Sequence, residues 1–285
     1  MIASGAMTDS TDVLHAHGKV ALVTGGSSGI GLAFARMWVR RGGRVALVAR
    51  TASKLKAIAK ELDESRAAAA FPLDVQNLQA LVALPAEVVA KFGRLDVVVN
   101  NAGLTHRGSF DKFDALDLAS VITTNLAAPV VLTRAAAPHI APGGSIIQIA
   151  SIAGMFPVAD EAAYSASKAG LRFFARAIAG DLALRGVHSG CVCPGPVDTD
   201  FLGDLTHVSD IVLSQPMISA EDVAVGIMKC IDDKLGELAL PRYSGKFATL
   251  GYLLPKAAKI VHPLLEKRGA KNRARAIAKK RGVSL

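Results

Sequence analysis

Short apolar segments alternate with amphipathic segments along most of this chain, and this alternation restricts its fold more than any other feature. Strands that are apolar on both faces and alternate with helices indicate a parallel sheet covered by helices on both sides. We therefore expect an α/β fold: a doubly wound (Rossmann) parallel seven-stranded sheet with helices on both faces, in a single domain. Strands are predicted at residues 19–24, 44–49, 67–73, 95–100, 145–150, 187–193 and 236–240, and helices at 29–41, 52–62, 78–92, 116–138 and 162–184.

Composition and charge divide the chain into three regions. Residues 1–18 are small, polar and aperiodic, which is typical of a disordered leader and not of a signal peptide. Residues 19–245 contain the whole strand–helix alternation, and residues 246–285 are predicted to form a basic, helical extension. The net charge is +9, and residues 256–285 supply all of it, with ten Lys or Arg and one acidic residue. The basic character therefore belongs to the extension and not to the domain.

The cysteines and the apolar runs indicate a cytoplasmic protein. Cys191, Cys193 and Cys230 are odd in number, lie in apolar surroundings and lack the spacing of zinc ligands. We interpret them as reduced core residues, and we expect no metal site. No window of about 18 uninterrupted apolar residues occurs, so no transmembrane helix is predicted.

The first predicted strand ends in a glycine-rich turn that leads into a helix. In a doubly wound fold, the ligand crevice lies at the carboxyl ends of the strands. Glycines let the backbone of such a turn approach a pyrophosphate, and the helix N-terminus offers unpaired N–H groups to the anion. Any sharp turn can use glycine, but the strand–turn–helix context favours a dinucleotide site over a plain turn. The candidate residues are Gly25, Ser27, Ser28, Gly29, Ile30 and Gly31.

The end of the second strand indicates which dinucleotide is bound. Arg50 follows this strand, and no acidic residue occurs between Arg44 and Lys60. A carboxylate here would bond the ribose hydroxyls of NAD, whereas Arg50 can pair with the 2′-phosphate of NADP. We therefore predict that NADP(H) is preferred over NAD(H). The alternative is a solvated arginine at the start of a helix.

The third and fourth strands end in further candidates for cofactor contact. Asp74, followed by Val75, can accept a hydrogen bond from the adenine amino group, cap the next helix, or do both. Small residues after the fourth strand let the backbone lie close to a cofactor ribose. These residues are Asn101, Ala102 and Gly103.

The most specific pattern joins the end of the fifth strand to the next helix. Ser151 follows that strand, and the helix carries Tyr164 and Lys168 four residues apart, on one face. A cation beside a phenol favours phenolate and lowers the pKa of the phenol, which then serves as an acid and a base near neutral pH. Ser151 can hydrogen-bond a substrate oxygen in the same crevice. A Tyr–Lys pair alone is common on helices, and its position after a serine-ended strand makes it specific.

Taken together, the motifs resemble those of the short-chain dehydrogenase/reductase family in order and spacing, over residues 19–242. The resemblance implies an NAD(P)-dependent oxidoreductase that interconverts a carbonyl and a secondary alcohol. Tyr164 would be the general acid/base, Ser151 would orient the carbonyl, and Lys168 would lower the pKa of Tyr164 and bond the nicotinamide ribose. Asn125 resembles the asparagine that holds a water in a proton relay to Lys168.

The same resemblance extends to the cofactor and to assembly. Arg50 is similar to the arginine of the NADP-preferring subgroup, and family members are commonly homodimers or homotetramers. The residues that resemble the segment packed on the nicotinamide are Pro194, Gly195, Val197 and Thr199.

Substrate choice is expected in residues 196–220, an apolar segment between the sixth strand and the next helix. One interpretation is a mobile lid over a hydrophobic substrate, with contacts from Phe156, Phe201 and Leu202. The other is ordinary packing of a loop. The lid and the extension together favour a hydrophobic or acyl-chain-like carbonyl or alcohol as the small-molecule substrate.

The extension itself is open to three interpretations. An apolar stretch at 250–265 followed by a basic one at 266–281 suits a peripheral contact with an anionic membrane surface, or with an acyl-carrier partner. The third interpretation is a helix packed on the domain or on a neighbouring subunit. Nucleic acid is not expected, because interleaved aromatic residues are lacking.

A different functional class also remains open. The chain could be a catalytically weak dinucleotide-binding regulatory or scaffold protein of the same fold. Such a protein would be free to lose Ser151, Tyr164 or Lys168, and all three are present.

Overall fold

A computed structural model describes residues 16–62 and 67–280 of the chain. The predicted leader lies outside the described residues, apart from residues 16–18. Within the described part, seven parallel strands form one sheet in the order β3-β2-β1-β4-β5-β6-β7, so the predicted doubly wound fold is confirmed. The strands are β1 Val20–Thr24, β2 Arg44–Ala49, β3 Ala68–Pro72, β4 Leu95–Asn100, β5 Ile140–Ile149, β6 His188–Pro194 and β7 Glu237–Leu240.

Helices connect the strands and cover both faces of the sheet. Alternate strand residues point to opposite faces, so Ala21 and Val23 join one apolar cluster with α1, α2 and α9. Val20 and Leu22 join a second cluster with α3 and α5. The helices are α1 Gly29–Arg40, α2 Ala52–Leu62, α3 Leu78–Phe92, α4 Ala115–Ile122, α5 Ala128–Ala136, α6 Ala162–Ala177, α7 Ala179–Ala183, α8 Asp210–Leu213, α9 Ala220–Asp232, α10 Arg242–Leu253 and α11 Pro255–Lys280.

The two long predicted helices are each interrupted. Between α4 and α5 the chain makes a π-helical turn, Thr123–Ala127, of the kind that is frequent at functional sites. The helix predicted at 162–184 divides at Ile178, where ψ is −6°, into α6 and α7. The residues buried in the π-helical turn are the polar Thr124 and Asn125, so apolar periodicity could not locate that interruption.

One helical stretch, Ala115–His139, is long and apolar enough by length and composition to cross a membrane, although none was predicted. The prediction required an uninterrupted apolar run, whereas this stretch contains polar residues. In the fold it connects β4 to β5 and contacts α3 and α6. Its residues Val121, Leu132 and Ala136 are buried, and 33% of its apolar window is buried in the domain.

The C-terminal extension is helical and folds back onto the domain. The predicted boundary at residue 245 falls inside α10, which contacts β7, and α11 contacts α8. The interpretation of a helix packed on the domain therefore describes the second half of α11, whereas most described residues from 252 to 268 are exposed. The three cysteines are buried and free, as predicted.

Candidate active site

The turn between β1 and α1 has the shape that a bound phosphate needs. Gly25 and Gly29 adopt positive φ angles of 66° and 51°, which side chains disfavour. A Cβ on Gly31 would lie 2.4 Å from the Gly25 carbonyl oxygen, so only glycine fits there. Within the described structure Ser28 makes no side-chain cap, which leaves the first N–H groups of α1 available to an anion. The turn thus fits the pyrophosphate of a dinucleotide.

Asn101 braces this turn against the end of β4. Its Nδ2 donates to the carbonyl oxygens of Thr24, at 2.9 Å, and Gly25, at 3.3 Å. The Thr24 hydroxyl in turn accepts from the backbone N–H groups of Asn101 and Ala102, both at 3.0 Å. The side chain of Asn101 therefore holds two strand ends together where the sheet order reverses. Sequence reasoning did not identify Thr24.

The residues predicted for the adenosine end lie at the ends of β2 and β3. Arg50 is exposed directly after β2, and Val75 is buried. Asp74 is exposed, and its Oδ1 accepts from the N–H of Gln76 at 3.0 Å. Asn77, and not Asp74, caps α3, by accepting from the N–H of Ala80 at 3.1 Å. The alternative in which Asp74 caps the helix is therefore wrong, because α3 begins at Leu78 and its N-cap residue is Asn77.

Ser151, Tyr164 and Lys168 line one open cavity of about 620 Å³. The Ser151 hydroxyl accepts from the N–H of Ala153 at 3.1 Å, which fixes its position at the end of β5. Lys168 is buried, and its Nζ donates to the carbonyl oxygen of Ile149 at 2.7 Å and lies 5.8 Å from the centre of the Tyr164 ring. The predicted helix face therefore points into the crevice.

The same cavity brings together most of the predicted cofactor residues. They are Gly25, Ser28, Gly29, Ile30, Asn101, Ala102, Gly103, Pro194, Gly195, Val197 and Thr199. Thr199 packs closely on the turn, since a Cβ on Gly29 would lie 3.3 Å from its Cγ2. The predicted residues outside the lining are Ser27, Gly31, Arg50, Asp74, Val75 and Asn125.

The pKa of Tyr164 differs from the expectation. Burial raises it to about 12, and the hydrogen bond with Ser151 opposes this shift. Burial also lowers the pKa of Lys168 to about 8. In the chain by itself, desolvation of the phenolate outweighs the favourable interactions, so the phenol stays protonated at neutral pH. The lowering of the tyrosine pKa by Lys168 stays a prediction for the complex with cofactor.

Asn125 is fully buried in the π-helical turn, and its side chain is fixed by three hydrogen bonds. It accepts from the N–H of Leu104 at 2.8 Å and donates to the carbonyl oxygen of Leu104 at 2.8 Å and to Ser167 Oγ at 3.0 Å. These bonds tie the segment after β4 to α6, one residue before Lys168.

A buried ion pair beside Tyr164 was missed by sequence reasoning. Arg107 Nε lies 2.7 Å from Glu161 Oε1, and both side chains line the cavity. Burial raises the pKa of Glu161, and the charge of Arg107 opposes that shift. The two residues are far apart in the sequence, and no local pattern connects them.

The outer part of the cavity is apolar and comes from three segments. Phe156, Phe201 and Leu202, the candidate substrate contacts, line it. The helices of the extension also line it, which was not predicted. Their residues are Tyr243, Ser244, Phe247, Ala248, Leu250, Gly251 and Leu254 from α10 and its C-terminal end, and Val261, His262, Leu265 and Arg268 from α11.

Comparisons with known proteins agree with this architecture. The family model for short chain dehydrogenase matches residues 19–209. Human 15-hydroxyprostaglandin dehydrogenase (NAD(+)) is 34% identical over 238 residues, covering 77% of this chain and 88% of its own. Ketoacyl reductase HetN from Nostoc sp. is 35% identical over 224 residues, covering 78% of each chain.

A solved structure extends the agreement to three dimensions. A short chain dehydrogenase from Burkholderia cenocepacia J2315, crystallised in complex with NADP, aligns with a TM-score of 0.73 and 32% identity, covering 78% of this chain and 96% of that one. The fold, the order of the motifs and the sequence identity agree over the same region. The chain therefore belongs to the short-chain dehydrogenase family and is an NAD(P)-dependent oxidoreductase that acts on CH–OH donors.

Proposed function

We propose that this protein interconverts a carbonyl and a secondary alcohol on a hydrophobic or acyl-chain-like substrate, with NADP(H) as the preferred cofactor. The observation that carries the proposal is the position of Ser151, Tyr164 and Lys168 on the wall of a largely apolar cavity that opens beside the glycine turn. The turn would hold the pyrophosphate of the dinucleotide, and the catalytic side chains lie in the same cavity, where the substrate would bind.

The bound nicotinamide would supply or accept the hydride at that carbon. In the reductive direction the Tyr164 hydroxyl donates its proton to the substrate oxygen, and the Ser151 hydroxyl donates a hydrogen bond to the same oxygen. The high pKa of Tyr164 keeps this proton in place at neutral pH. Lys168 carries a charge beside the phenol as the proton leaves, and Asn125 positions the segment next to it.

The preference for NADP(H) rests on Arg50. Arg50 directly follows β2 and is exposed, at the end of the strand where the 2′-phosphate of NADP would lie. No carboxylate follows this strand that could bind the ribose hydroxyls of NAD instead. A similar solved structure was crystallised in complex with NADP. The names of the prostaglandin dehydrogenases specify NAD(+), so the identity of the residue after β2 decides our assignment.

The substrate class rests on the outer cavity wall. Aromatic and aliphatic side chains form most of it, including Phe156, Phe201 and Phe247. Relatives are named for a hydroxyprostaglandin and for ketoacyl substrates, and both are acyl-chain compounds. An apolar wall of this kind binds a hydrocarbon chain by removing its surface from water.

Substitution of Tyr164 by phenylalanine tests the assigned chemistry. We expect Tyr164→Phe to abolish NADPH oxidation with every member of a panel of hydrophobic ketones, while NADPH binding measured by calorimetry persists. Tyr252→Phe is the matched control, because Tyr252 is exposed and lies outside the cavity lining. Full activity of Tyr164→Phe would refute the assignment. Binding of NADPH by the wild type without turnover of any ketone would favour the regulatory alternative.

We propose a homodimer or homotetramer built on α4 and α6. Leu116 on α4 is 78% exposed and Phe173 on α6 is 66% exposed, although both are large and apolar. Exposed apolar patches commonly mark interfaces. Sedimentation of the wild type as a dimer or tetramer and of Phe173→Ser as a smaller species would support this; a monomeric wild type would refute it.

We propose that this protein is cytoplasmic and makes a peripheral contact with an anionic membrane surface through α10 and α11. Ile260 and Leu264 are 81% and 69% exposed, and Lys256 and Lys259 lie beside them. Flotation with phosphatidylserine vesicles, and its loss in Ile260→Ser/Leu264→Ser, would support the contact. No flotation by the wild type would refute it, and capture by an acidic acyl carrier instead would favour that partner.

A further inference from the structure

The two halves of α11 contact two different parts of the substrate site. Residues of its first half line the outer end of the cavity, including Val261, Leu265 and Arg268. Its second half packs on residues 199–218, which we call the lid segment. Ser151, which follows β5, and Tyr164 and Lys168 on α6 line the same cavity.

The packing between α11 and the lid segment is close enough to require a glycine. Gly269 is buried against Asp210, and a Cβ at this position would lie 1.8 Å from the Asp210 carbonyl oxygen. Such a distance is impossible without movement of the backbone of α8 or α11. Further along the helix, Ala276 and Ile277 pack against the apolar cluster of the lid segment. That cluster comprises Leu202, Leu205, Val208 and Leu213.

Two polar side chains of α11 also bind backbone carbonyls of the lid segment. Arg273 Nη2 donates to the carbonyl oxygen of Val208 at 2.6 Å and lies 2.9 Å from the Asp210 carboxylate. Asn272 Nδ2 donates to the carbonyl oxygen of Leu213 at 2.9 Å. These bonds hold both ends of α8. Arg273 therefore has a structural contact and is not merely part of a solvated basic tail.

This arrangement lies outside what the family match covers. The match ends at residue 209, before α8 and α11 begin. The family model therefore does not describe the contacts of Gly269, Asn272 and Arg273.

We infer that α11 is a specificity element: it clasps the lid segment over the cavity and forms the wall on which the far end of an extended apolar substrate packs. The inference rests on the proposed function for the identity of the reacting group, but the clasp itself does not. A chain long enough to reach from Tyr164 to α11 gains contact with Val261 and Leu265, and a short chain does not. Each methylene buried there improves binding about fourfold.

Two variants with matched controls test the clasp. Gly269→Ala introduces the clashing Cβ, and Gly180→Ala in α7 is its control, because no described atom lies within 4 Å of that Cβ. Arg273→Ala removes the polar contacts and also one positive charge. Arg275→Ala is its control, because it removes one positive charge from an exposed position on the same helix. Melting temperatures identify any variant that fails to fold, and Arg273→Ala is the milder substitution.

The first readout is amide hydrogen exchange of residues 205–214. We expect Gly269→Ala and Arg273→Ala to accelerate exchange there by about tenfold or more, with β1 and β4 unchanged, while the controls match the wild type. Unchanged exchange in both variants would overturn the clasp whether or not any ketone is a substrate.

The second readout is kcat/KM with NADPH for 2-alkanones of increasing chain length. The wild type should gain with length, and the two clasp variants should lose about tenfold or more for the longest ketones but less than about twofold for the shortest. The loss should appear in KM. An equal loss at every length would show a merely structural role and overturn the specificity assignment. Failure of the wild type on all ketones would instead refute the proposed function.

Discussion

Arg107 and Glu161 are 54 residues apart in the sequence, yet they form an ion pair of 2.7 Å in the cavity wall beside Tyr164. The same guanidinium donates to the carbonyl oxygens of Phe201, at 3.2 Å, and Leu202, at 3.0 Å. One side chain thus joins the segment after β4, the start of α6 and the lid segment. Tyr164 lies in the same cavity wall as Arg107 and the residues that Arg107 contacts.

Substitution of Arg107 should therefore disturb both stability and substrate binding. We expect Arg107→Met to lower the free energy of unfolding by about 3 kcal/mol, because it leaves the buried Glu161 carboxylate without its partner. KM for a hydrophobic ketone should rise more than kcat falls, since the lid loses two carbonyl contacts.

The double variant Arg107→Met/Glu161→Leu provides the control for that prediction. It replaces the whole pair by apolar side chains and should regain most of the lost stability in urea denaturation, while KM stays high. A double variant as unstable as Arg107→Met would contradict this explanation.

Arg50 should control the choice between the two dinucleotides. We expect Arg50→Asp to lower kcat/KM for NADPH by about tenfold or more, because a carboxylate repels the 2′-phosphate, and to leave or improve the value for NADH. Steady-state kinetics with both cofactors measure the ratio. The control is Arg275→Asp, because Arg275 is exposed. Arg36→Asp would not serve as a control, because Arg36 forms an ion pair with Glu61. Equal effects on both cofactors would show that Arg50 does not contact the phosphate.

Gly31 should be required for cofactor binding. A Cβ there would lie 2.4 Å from the Gly25 carbonyl oxygen and 2.6 Å from Asn101 Nδ2, so Gly31→Ala must displace the turn or the Asn101 brace. We expect NADPH affinity, measured by calorimetry, to fall about tenfold or more. Gly236→Ala is the matched control, since no described atom lies within 4 Å of its added Cβ. Wild-type affinity in Gly31→Ala would contradict the structure of the turn.

Lys168 should make stability depend on pH in the alkaline range. Its pKa is lowered from 10.5 to about 8 by burial, so between these values the unfolded chain holds a proton that the folded chain has lost. The contribution of Lys168 to the free energy of unfolding therefore rises as pH increases from 8 to 10.5, by at most about 3 kcal/mol. Lys168→Met lacks this rise.

Urea denaturation of the wild type and of Lys168→Met at pH 7–10.5 measures the effect, with Lys271→Met as an exposed control. The stability of the wild type relative to Lys168→Met should increase across this window. A constant difference would show that Lys168 keeps its charge in the folded protein over the whole range.

Much of the fold and of the candidate site could be predicted because the signals are local. The boundaries of β2, α2, α3 and β4 agree with the predicted ones. Each of these strands and helices carries the apolar residues that it buries in the core, so its own periodicity marks where it begins and ends. The glycine turn and the spacing of Tyr164 and Lys168 are also local patterns. The glycine turn follows β1 and α6 follows β5, and the sheet topology places the carboxyl ends of these parallel strands at one edge.

The tertiary structure decided what depends on residues far apart in the chain. It paired Arg107 with Glu161, and it placed Gly269 and Arg273 of α11 on the lid segment. It also buried the Tyr164 phenol and thereby raised its pKa, an effect that can be known only once the surrounding elements have packed. The sequence by itself determined the family, the chemistry and the cofactor-binding turn through spacing. The enclosure of the substrate depends on long-range packing, which no local pattern records.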